Sequence, residues 1–254
     1  MKESVEQVSL LIPAYNEEAR ITSVIRGVKE RYPSLEVVVI DDGSQDGTRR
    51  QAIEAGARVI SHPYNLGYGV ALLTGYKYAL REGREALAQM DADGQHDPAF
   101  IRVLLDTIEK GDADLAIGSR FLKIEGFDPG RPPYRASRTR RFGMWLFGTI
   151  ASLLIKQKVT DPTSGYQAMN RRVLEWVSSD KFPWDYPDAD VIIMLHRAGF
   201  RIQEVPVQMH ENLDKKSMHS GWKPLYYVFK MFLSILVTLM RKENRRTLCR
   251  SGTR

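Results

Sequence analysis

Short apolar runs alternate with amphipathic stretches through the first half of the chain. Each run is short, rich in strand-forming residues and ended by turn residues, which predicts strands at 8–12, 35–40, 58–61 and 85–89. Helices are predicted between and after them, over 17–31, from 46–48 onward, over 67–82 and from Pro98 onward. Asn16 is expected to cap the first of these helices.

Unbroken apolar strands joined by helices are typical of an α/β fold with a mostly parallel central sheet and helices on both faces. In such sheets, ligands bind beyond the carboxyl ends of the strands. Three acidic corners fall at those ends, at 15–17, 41–42 and 91–93. A single acidic corner would be read as a turn, whereas three at one edge predict a binding site.

The second half of the chain continues this pattern. A strand at 114–120 places Arg120 near the same edge, and a turn follows at 161–166. Further elements are helices at about 171–178 and at 188–199 and a strand at 201–207. We therefore predict a catalytic domain over 1–207. Residues 208–254 would form a flexible polar loop, an apolar helix and a basic tail.

Two apolar stretches, 142–155 and 225–240, are too short to cross a bilayer, which takes about 20 residues. Basic residues border both stretches, Trp145 lies near the start of the first, and Trp222 precedes the second. These flanks favour helices that lie in a membrane interface. The alternatives are a buried core helix and a contact between two copies of the chain.

Composition and charge narrow the function classes. The formal net charge is +6, and five arginines without an acidic residue lie within 131–141. Such clusters suit anionic lipids, phosphorylated substrates or nucleic acid. Nucleic acid is disfavoured because the predicted site is acidic and the basic residues do not alternate with strand aromatics.

Cysteine usage and the N-terminus bear on the cellular compartment. Cys249 is the single cysteine, which excludes an internal disulfide and a thiolate metal site. The N-terminal residues lack the apolar core of a signal peptide. We therefore expect a cytoplasmic protein that is peripheral on the inner face of the membrane.

The corner at 91–95 has the chemistry of a site for Mg²⁺ or Mn²⁺. These ions prefer carboxylate and amide oxygens and leave positions open for phosphate oxygens. Asp93 and the amide oxygen of Gln95 are the first candidate ligands, and Asp91 is the third. The alternative is an acidic turn in which Asp97 caps the next helix. The neighbouring acidic corners favour the metal site.

Five motifs occur in order along the chain: Ile12-Pro13-Ala14-Tyr15-Asn16-Glu17, Val39-Ile40-Asp41-Asp42-Gly43-Ser44, Asp91-Ala92-Asp93-Gly94-Gln95-His96, Gly118-Ser119-Arg120 and Asp161-Pro162-Thr163-Ser164-Gly165-Tyr166. Together they resemble family 2 of the inverting glycosyltransferases, which have the GT-A fold. The likeness covers 8–217 and is strongest to the branch of polyprenyl-phosphate sugar transferases. No single motif would establish it.

The resemblance implies a nucleotide-sugar donor and an undecaprenyl or dolichyl phosphate acceptor. It also implies roles for individual residues. The nucleotide pocket would be lined by Pro13, Ala14, Tyr15 and Glu17, with Asp41 or Asp42 on the base or ribose. The metal on the diphosphate would be held by Asp91, Asp93 and Gln95, which places Asp91 in the nucleotide pocket as well. Arg120 would face the acceptor phosphate.

An acceptor phosphate needs positive charge rather than a general base, because its second pKa is near 6 and it is largely ionised at pH 7. The residues expected to supply contacts are Arg120, Arg138, Arg141, Lys215, Lys216 and Ser217. The chain departs from the family here, since Asn212 stands where relatives carry an arginine and Lys215 where they carry a glycine. Lys215 or Lys216 is the expected replacement. The alternative for the arginine cluster is a solvated loop.

A hydroxyl acceptor, in a saccharide or a protein, is the competing hypothesis. It would need a catalytic carboxylate, for which Asp161, Asp188 and Asp190 are candidates. The residues expected to carry catalysis are Asp91, Asp93, Arg120 and Asp161. The sequence leaves the sugar, the base and homo-oligomer formation open.

Overall fold

The computed structural model describes residues 7–124, 138–179, 189–210 and 233–240. The strands are β1 Val8–Ala14, β2 Glu36–Asp41, β3 Arg58–Ser61, β4 Ala86–Gln89, β5 Leu115–Ser119, β6 Gln167–Asn170 and β7 Ile202–Pro206. The helices are α1 Ile21–Arg31, α2 Thr48–Glu54, α3 Tyr68–Arg81, α4 Ile101–Glu109, α5 Arg138–Ile155, α6 Arg171–Val177 and α7 Ala189–Arg197, with a 3₁₀ turn at Pro98–Phe100. Residues 233–240 form a further helix, α8.

Within the described part of the chain, the strands form one seven-stranded sheet in the order β3-β2-β1-β4-β6-β5-β7. The paired strands are parallel except that β6 runs antiparallel to both β4 and β5. The predicted mostly parallel α/β sheet with helices on both faces is confirmed. The strand β6 was not predicted.

The core consists of two apolar layers, one on each face of the sheet. Successive residues of β1 enter opposite layers because side chains alternate along a strand: Leu10 and Ile12 join one layer and Leu11 the other. The first layer is closed by α1 and α4, and the second by α3, α5, α6 and α7. This packing fixes the carboxyl ends of β1, β2 and β4 beside one another.

Most element boundaries lie within two residues of the predictions, but the end of β1 and the start of α1 differ in ways that bear on the site. Pro13 does not end β1, which continues to Ala14 and pairs Pro13 with Ile40 of β2. Pro13 is tolerated because its missing N–H faces the β4 side, where pairing with β1 has already ended at Leu11.

The first helix was predicted to begin at residue 17 under a cap from Asn16, and this is wrong. Asn16 has φ 54°, and its side-chain oxygen accepts from the backbone N–H of Gln45 at 2.9 Å. The asparagine therefore braces the neighbouring loop, and α1 begins only at Ile21.

The helix α5 has an inner and an outer face. Phe147, Ala151 and Ile155 are buried in the core, whereas Trp145 and Leu153 are 64% and 73% exposed. The core-helix interpretation thus holds for the inner face only. Of the second apolar stretch, the described part is α8. None of the helices in the described ranges combines the length and the apolar character that crossing a bilayer would take.

Candidate active site

The loops after β1 and β2 are tied together by side-chain hydrogen bonds. Asn16 N–H donates to Ser44 Oγ at 3.0 Å, and Glu17 N–H donates to Thr48 Oγ1 at 2.8 Å. Tyr15, which precedes them, is 44% exposed. Two of the three predicted corners therefore meet at the carboxyl edge of the sheet, with Pro13 and Ala14 as the buried floor at the end of β1.

Asp41 and Asp42 have different surroundings. The Asp42 carboxylate accepts from the N–H groups of Leu66 at 2.9 Å and Gly67 at 2.8 Å, and it lies 2.7 Å from Nδ1 of His62. Asp41 accepts from Ser44 N–H at 3.1 Å. Asp42 is thus occupied by the segment that leads into α3, which leaves Asp41 as the better candidate for a contact to the base or ribose.

Gly43 permits this segment to lie close. Its φ is +71°, and a Cβ at this position would lie 2.4 Å from the carbonyl carbon of Tyr64. Only glycine fits, because both the left-handed backbone and the contact exclude a side chain. The chain over 64–67 therefore covers the end of β2, a contact that the sequence did not reveal.

The predicted metal site at 91–95, the metal corner, follows β4. Asp91 Oδ1 accepts a hydrogen bond from the Tyr68 hydroxyl at 3.0 Å, and Asp93 Oδ1 accepts one from Gln95 N–H at 2.9 Å. Burial raises the pKa of Asp93, and the negative charge of Asp91 raises it further. Two partly buried carboxylates that repel each other form a place where a cation would be stabilised.

His96 supports this corner through a hydrogen bond to Asp91 and a stacking contact with Tyr166. Its Nδ1 accepts from Asp91 N–H at 3.0 Å, and its ring stacks on Tyr166 with centroids 4.7 Å apart. Burial lowers the pKa of His96 to about 4, so the ring is neutral at pH 7 and Nδ1 keeps its lone pair. The sequence offered His96 as part of a motif but gave no sign of this structural role.

The donor set fits Mg²⁺ or Mn²⁺. Asp91, Asp93 and Gln95 offer only oxygen ligands, which is what these ions prefer. Gly165 lies close to Asp91, where a Cβ would lie only 2.8 Å from Asp91 Oδ2, so a side chain at this position would crowd the corner. In the described ranges, no group of three or more His, Cys, Asp or Glu side chains could hold a metal. A cation at this corner would therefore need the Gln95 amide and oxygens from a bound ligand.

Asp97 accepts from Ala99 N–H at 2.8 Å and caps the short turn that precedes α4. The capping interpretation is thus correct for Asp97, and it is compatible with a metal corner at 91–95. Beside this corner, His210 N–H donates to the carbonyl of Gln95 at 2.7 Å. The residues expected to form the polar loop at 208–220 therefore begin next to the metal corner.

Arg120 and Asp161 form a buried ion pair. Arg120 Nε donates to Asp161 Oδ2 at 2.6 Å and Nη2 donates to Oδ1 at 3.3 Å. The side chains are 5% and 0% exposed. The sequence placed Arg120 against the acceptor phosphate and offered Asp161 as a base. The structure pairs them with each other.

Glu204 holds the Asp161 end of this pair. Its carboxylate accepts from the backbone N–H groups of Thr160 at 2.8 Å and Asp161 at 2.7 Å, and from the Thr160 hydroxyl at 2.8 Å. Burial raises the pKa of Glu204. The sequence reasoning missed this residue because it lies inside a strand, 43 positions from Asp161.

The other predicted residues are placed only in part. Asp190 is buried at the start of α7, where it accepts from Val191 N–H at 2.9 Å. Arg138 and Arg141 lie in the first turn of α5, with side chains outside the described part of the chain. Asp188, Lys215, Lys216 and Ser217 lie outside the described residues.

Comparisons with known proteins bear on the family and the fold. A family model described as "Glycosyl transferase family 2" matches residues 9–177, which contain all three corners. The polyprenol monophosphomannose synthase of Mycolicibacterium smegmatis is 32% identical, over 89% of this chain and 86% of that protein. The undecaprenyl-phosphate mannosyltransferase of Micrococcus luteus is 29% identical, over 85% and 88%.

Solved structures support the fold. The glucosyl-3-phosphoglycerate synthase of Mycobacterium tuberculosis, crystallised with Mn²⁺, uridine diphosphate and phosphoglyceric acid, superposes with a TM-score of 0.66. The two sequences are 24% identical, and the match covers 93% of this chain and 80% of that one. At this identity the likeness bears on the architecture alone.

Proposed function

Because the chain belongs to glycosyl transferase family 2 and is a glycosyltransferase, we propose that it moves a sugar from a nucleotide donor to a polyprenyl phosphate. The relative from Mycolicibacterium is named as a synthase of polyprenol monophosphomannose, and the relative from Micrococcus as an undecaprenyl-phosphate mannosyltransferase. We further propose that the reaction is metal-dependent, as the oxygen ligands at 91–95 favour, and that it inverts the anomeric centre, as the resemblance to the inverting family 2 enzymes implies.

The observation that carries the choice of acceptor is the state of Asp161. A hydroxyl acceptor needs a base, and Asp161 is fully buried in a two-point contact with Arg120. Asp190, the second candidate that the structure describes, is buried and hydrogen-bonded to Val191 N–H and Ser234. An acceptor phosphate is already ionised at pH 7 and needs neither carboxylate.

The roles in binding the nucleoside and the metal follow from the positions of the three acidic corners. Tyr15, Glu17 and Asp41 border the space for the nucleoside, at the ends of β1 and β2. Asp91, Asp93 and Gln95 would hold Mg²⁺ or Mn²⁺, which would stabilise the charge that grows on the leaving diphosphate.

The acceptor phosphate must be brought next to another anion, which requires positive charge. The Arg120–Asp161 pair is neutral as a unit, so Arg120 alone does not supply it. We assign the main attraction to the arginine cluster over 131–141, including Arg138 and Arg141, and to Lys215 and Lys216 with Ser217. The segment that carries the lysines begins at the metal corner, where His210 contacts Gln95.

The test is transfer from radiolabelled nucleotide sugars to undecaprenyl phosphate, followed by organic extraction. Label in the lipid phase that depends on both the protein and the lipid phosphate is the expected result. Undecaprenol without phosphate serves as the matched acceptor, and it should remain unlabelled. Label that stays in water with saccharide acceptors, and never enters the lipid phase, would contradict the proposal and favour a hydroxyl acceptor.

A lipid acceptor also implies a membrane partner. We propose that the protein docks peripherally on the cytoplasmic face through the exposed side chains of α5 and α8. Every exposed residue of α8 is apolar: Leu233, Leu236, Val237, Leu239 and Met240. Lys156 and Lys158, which follow α5, are exposed and suit anionic headgroups.

A further inference from the structure

The first residue of α3, Tyr68, reaches the metal corner. Its hydroxyl donates to Asp91 Oδ1 at 3.0 Å and accepts from Gln89 Nε2 at 3.4 Å. Because the phenol oxygen receives an N–H from Gln89, its own proton is directed to the carboxylate. The hydroxyl therefore acts as a donor to Asp91.

The orientation of Gln89 is fixed by its other contacts. Its Nε2 also donates to the carbonyl of Gly165 at 3.2 Å, and its Oε1 accepts from the Tyr76 hydroxyl at 2.7 Å. A carbonyl can only accept, so the amide nitrogen must face Gly165. Gln89 is 2% exposed. Its buried hydrogen bonds therefore hold in place the amide that donates to the Tyr68 hydroxyl.

Gly165 confines Asp91 on the other side. A Cβ on Gly165 would lie 2.8 Å from Asp91 Oδ2, 2.9 Å from Oδ1 and 3.0 Å from the Tyr68 hydroxyl. The three groups thus lie close together. The Asp91 carboxylate lies between a hydrogen-bond donor and a glycine beside which there is no room for a side chain, so a shift of the donor or an added methyl group at 165 would move it.

We propose that Tyr68 is a positioning residue, which holds the Asp91 carboxylate in the orientation that a divalent cation and the donor diphosphate require. The inference rests on the proposed metal-dependent function. A phenol suits this role because it is neutral. It stabilises the negative charge of Asp91 beside Asp93 without adding a positive charge that would repel the cation.

The same helix provides a matched control. Tyr78 lies ten residues further along α3, and its hydroxyl donates to a carboxylate oxygen of Glu36 at 3.0 Å. Glu36 begins β2 and therefore lies at the amino end of the sheet, opposite the metal corner. Tyr68→Phe and Tyr78→Phe each remove one phenol–carboxylate hydrogen bond from α3, but only the first touches the corner.

The experiment is titration of each full-length variant with Mn²⁺, monitored by the electron paramagnetic resonance signal of the free ion, alone and with GDP or UDP. Tyr68→Phe should bind Mn²⁺ about tenfold more weakly, in the range seen when residues behind metal ligands are replaced. Its activity should recover partly at high Mn²⁺. Tyr78→Phe should bind Mn²⁺ as the unmodified protein does.

Gly165→Ala provides a second variant that acts on the same carboxylate. It should also weaken Mn²⁺ binding, and combining it with Tyr68→Phe should cost less than the two separate effects together, because both displace Asp91. Equal Mn²⁺ affinity in Tyr68→Phe and the unmodified protein would overturn the positioning role. Absence of Mn²⁺ binding by the unmodified protein would instead overturn the metal site, and the inference with it.

Discussion

At the scale of single residues, neighbours decide what each carboxylate at this sheet edge can do. Asp161 is neutralised by Arg120 in a pair that is almost fully buried, so it has neither the exposure nor the spare charge of a base. Asp93 faces another carboxylate, and its pKa is raised by burial and by that charge. Removal of one partner from the first arrangement would destabilise the fold, whereas the second arrangement favours binding of a cation.

The metal assignment predicts the effect of Asp93→Asn. The substitution preserves shape but removes one of the two charges at the corner, so transfer should fall by at least about 100-fold with little change in thermal stability. Asp106→Asn on the surface of α4 is the matched control and should remain active. Steady-state rates and thermal melts measure both. Full activity in excess EDTA would contradict the metal role.

A different outcome is expected for Asp161→Asn. The change removes the Asp161 charge that faces the buried Arg120 guanidinium, which should lower the free energy of unfolding by about 3 kcal/mol. Denaturant titration measures the loss. The pH profile of the remaining activity should keep its shape, because no proton is transferred to Asp161. Selective loss of an essential basic group from that profile would show instead that Asp161 is the base.

The acceptor chemistry makes a separate prediction about pH. A phosphate monoester has a second pKa near 6, so its attacking form is already dominant at pH 7. Turnover at saturating substrates should therefore rise to about pH 7 and stay level up to about pH 8.5. Initial rates across buffers of constant ionic strength test this. A steady rise through that range would indicate that a hydroxyl must be deprotonated.

At the scale of elements, the segment between β3 and α3 links two corners of the site. Asp42 holds its backbone at Leu66 and Gly67, and Tyr68 at its end contacts Asp91. A change in this segment should therefore affect nucleotide binding and metal binding together.

Asp42→Asn and Asp41→Asn should differ in how much stability they cost. An asparagine at 42 would place an N–H group against backbone donors, which should cost about 2 kcal/mol of unfolding free energy. At position 41 the loss should be smaller, and the main effect should be a higher KM for the nucleotide sugar. Denaturant titration and donor kinetics distinguish the two. Equal stability losses would contradict the different roles.

The sequence predicted β1, β2 and β4 because each is a continuous apolar run. Such a run indicates a buried strand whichever strands it pairs with. The sequence also predicted that the acidic ends of these strands share an edge, which follows from parallel pairing. It did not predict β6, since Gln167–Asn170 has only two apolar residues between polar ends. That strand exists because β4 and β5 offer backbone groups on both sides.

The roles of Tyr68, His96 and Glu204 were likewise missed. Tyr68 contacts Asp91 across 23 positions, and Glu204 contacts Asp161 across 43. Helical or strand periodicity explains each residue as an ordinary part of its element. Their function depends on the tertiary approach of distant segments, and no local pattern encodes it.

At the scale of the whole molecule, apolar exposure is concentrated on one side of the sheet. α8 is anchored to α7 by hydrogen bonds from Arg197 to the carbonyls of Thr238 and Leu239, at 3.1 and 3.2 Å. Ile235 enters the same core layer as Phe147 of α5. The exposed residues of both helices therefore lie on the face of the sheet opposite α4.

This asymmetry predicts docking on anionic bilayers. Leu236 is 54% exposed on α8, and burying such side chains in the interface is favourable, while nearby basic residues each add about 1 kcal/mol at an anionic surface. Co-sedimentation with phosphatidylglycerol liposomes should fall several-fold with Leu236→Glu. Val103→Glu is the matched control, since Val103 is 40% exposed on α4, on the other face of the sheet.

Salt and lipid composition separate docking from self-association. Because the basic residues contribute through screened charge, binding should weaken as salt rises and as phosphatidylcholine replaces phosphatidylglycerol. The exposed α8 face would give a different result if it joined two copies of the chain. Leu236→Glu would then convert a dimer to a monomer in sedimentation velocity without lipid, and neither variant would change liposome binding. Failure of the unmodified protein to sediment with anionic liposomes at low salt would exclude the docking surface.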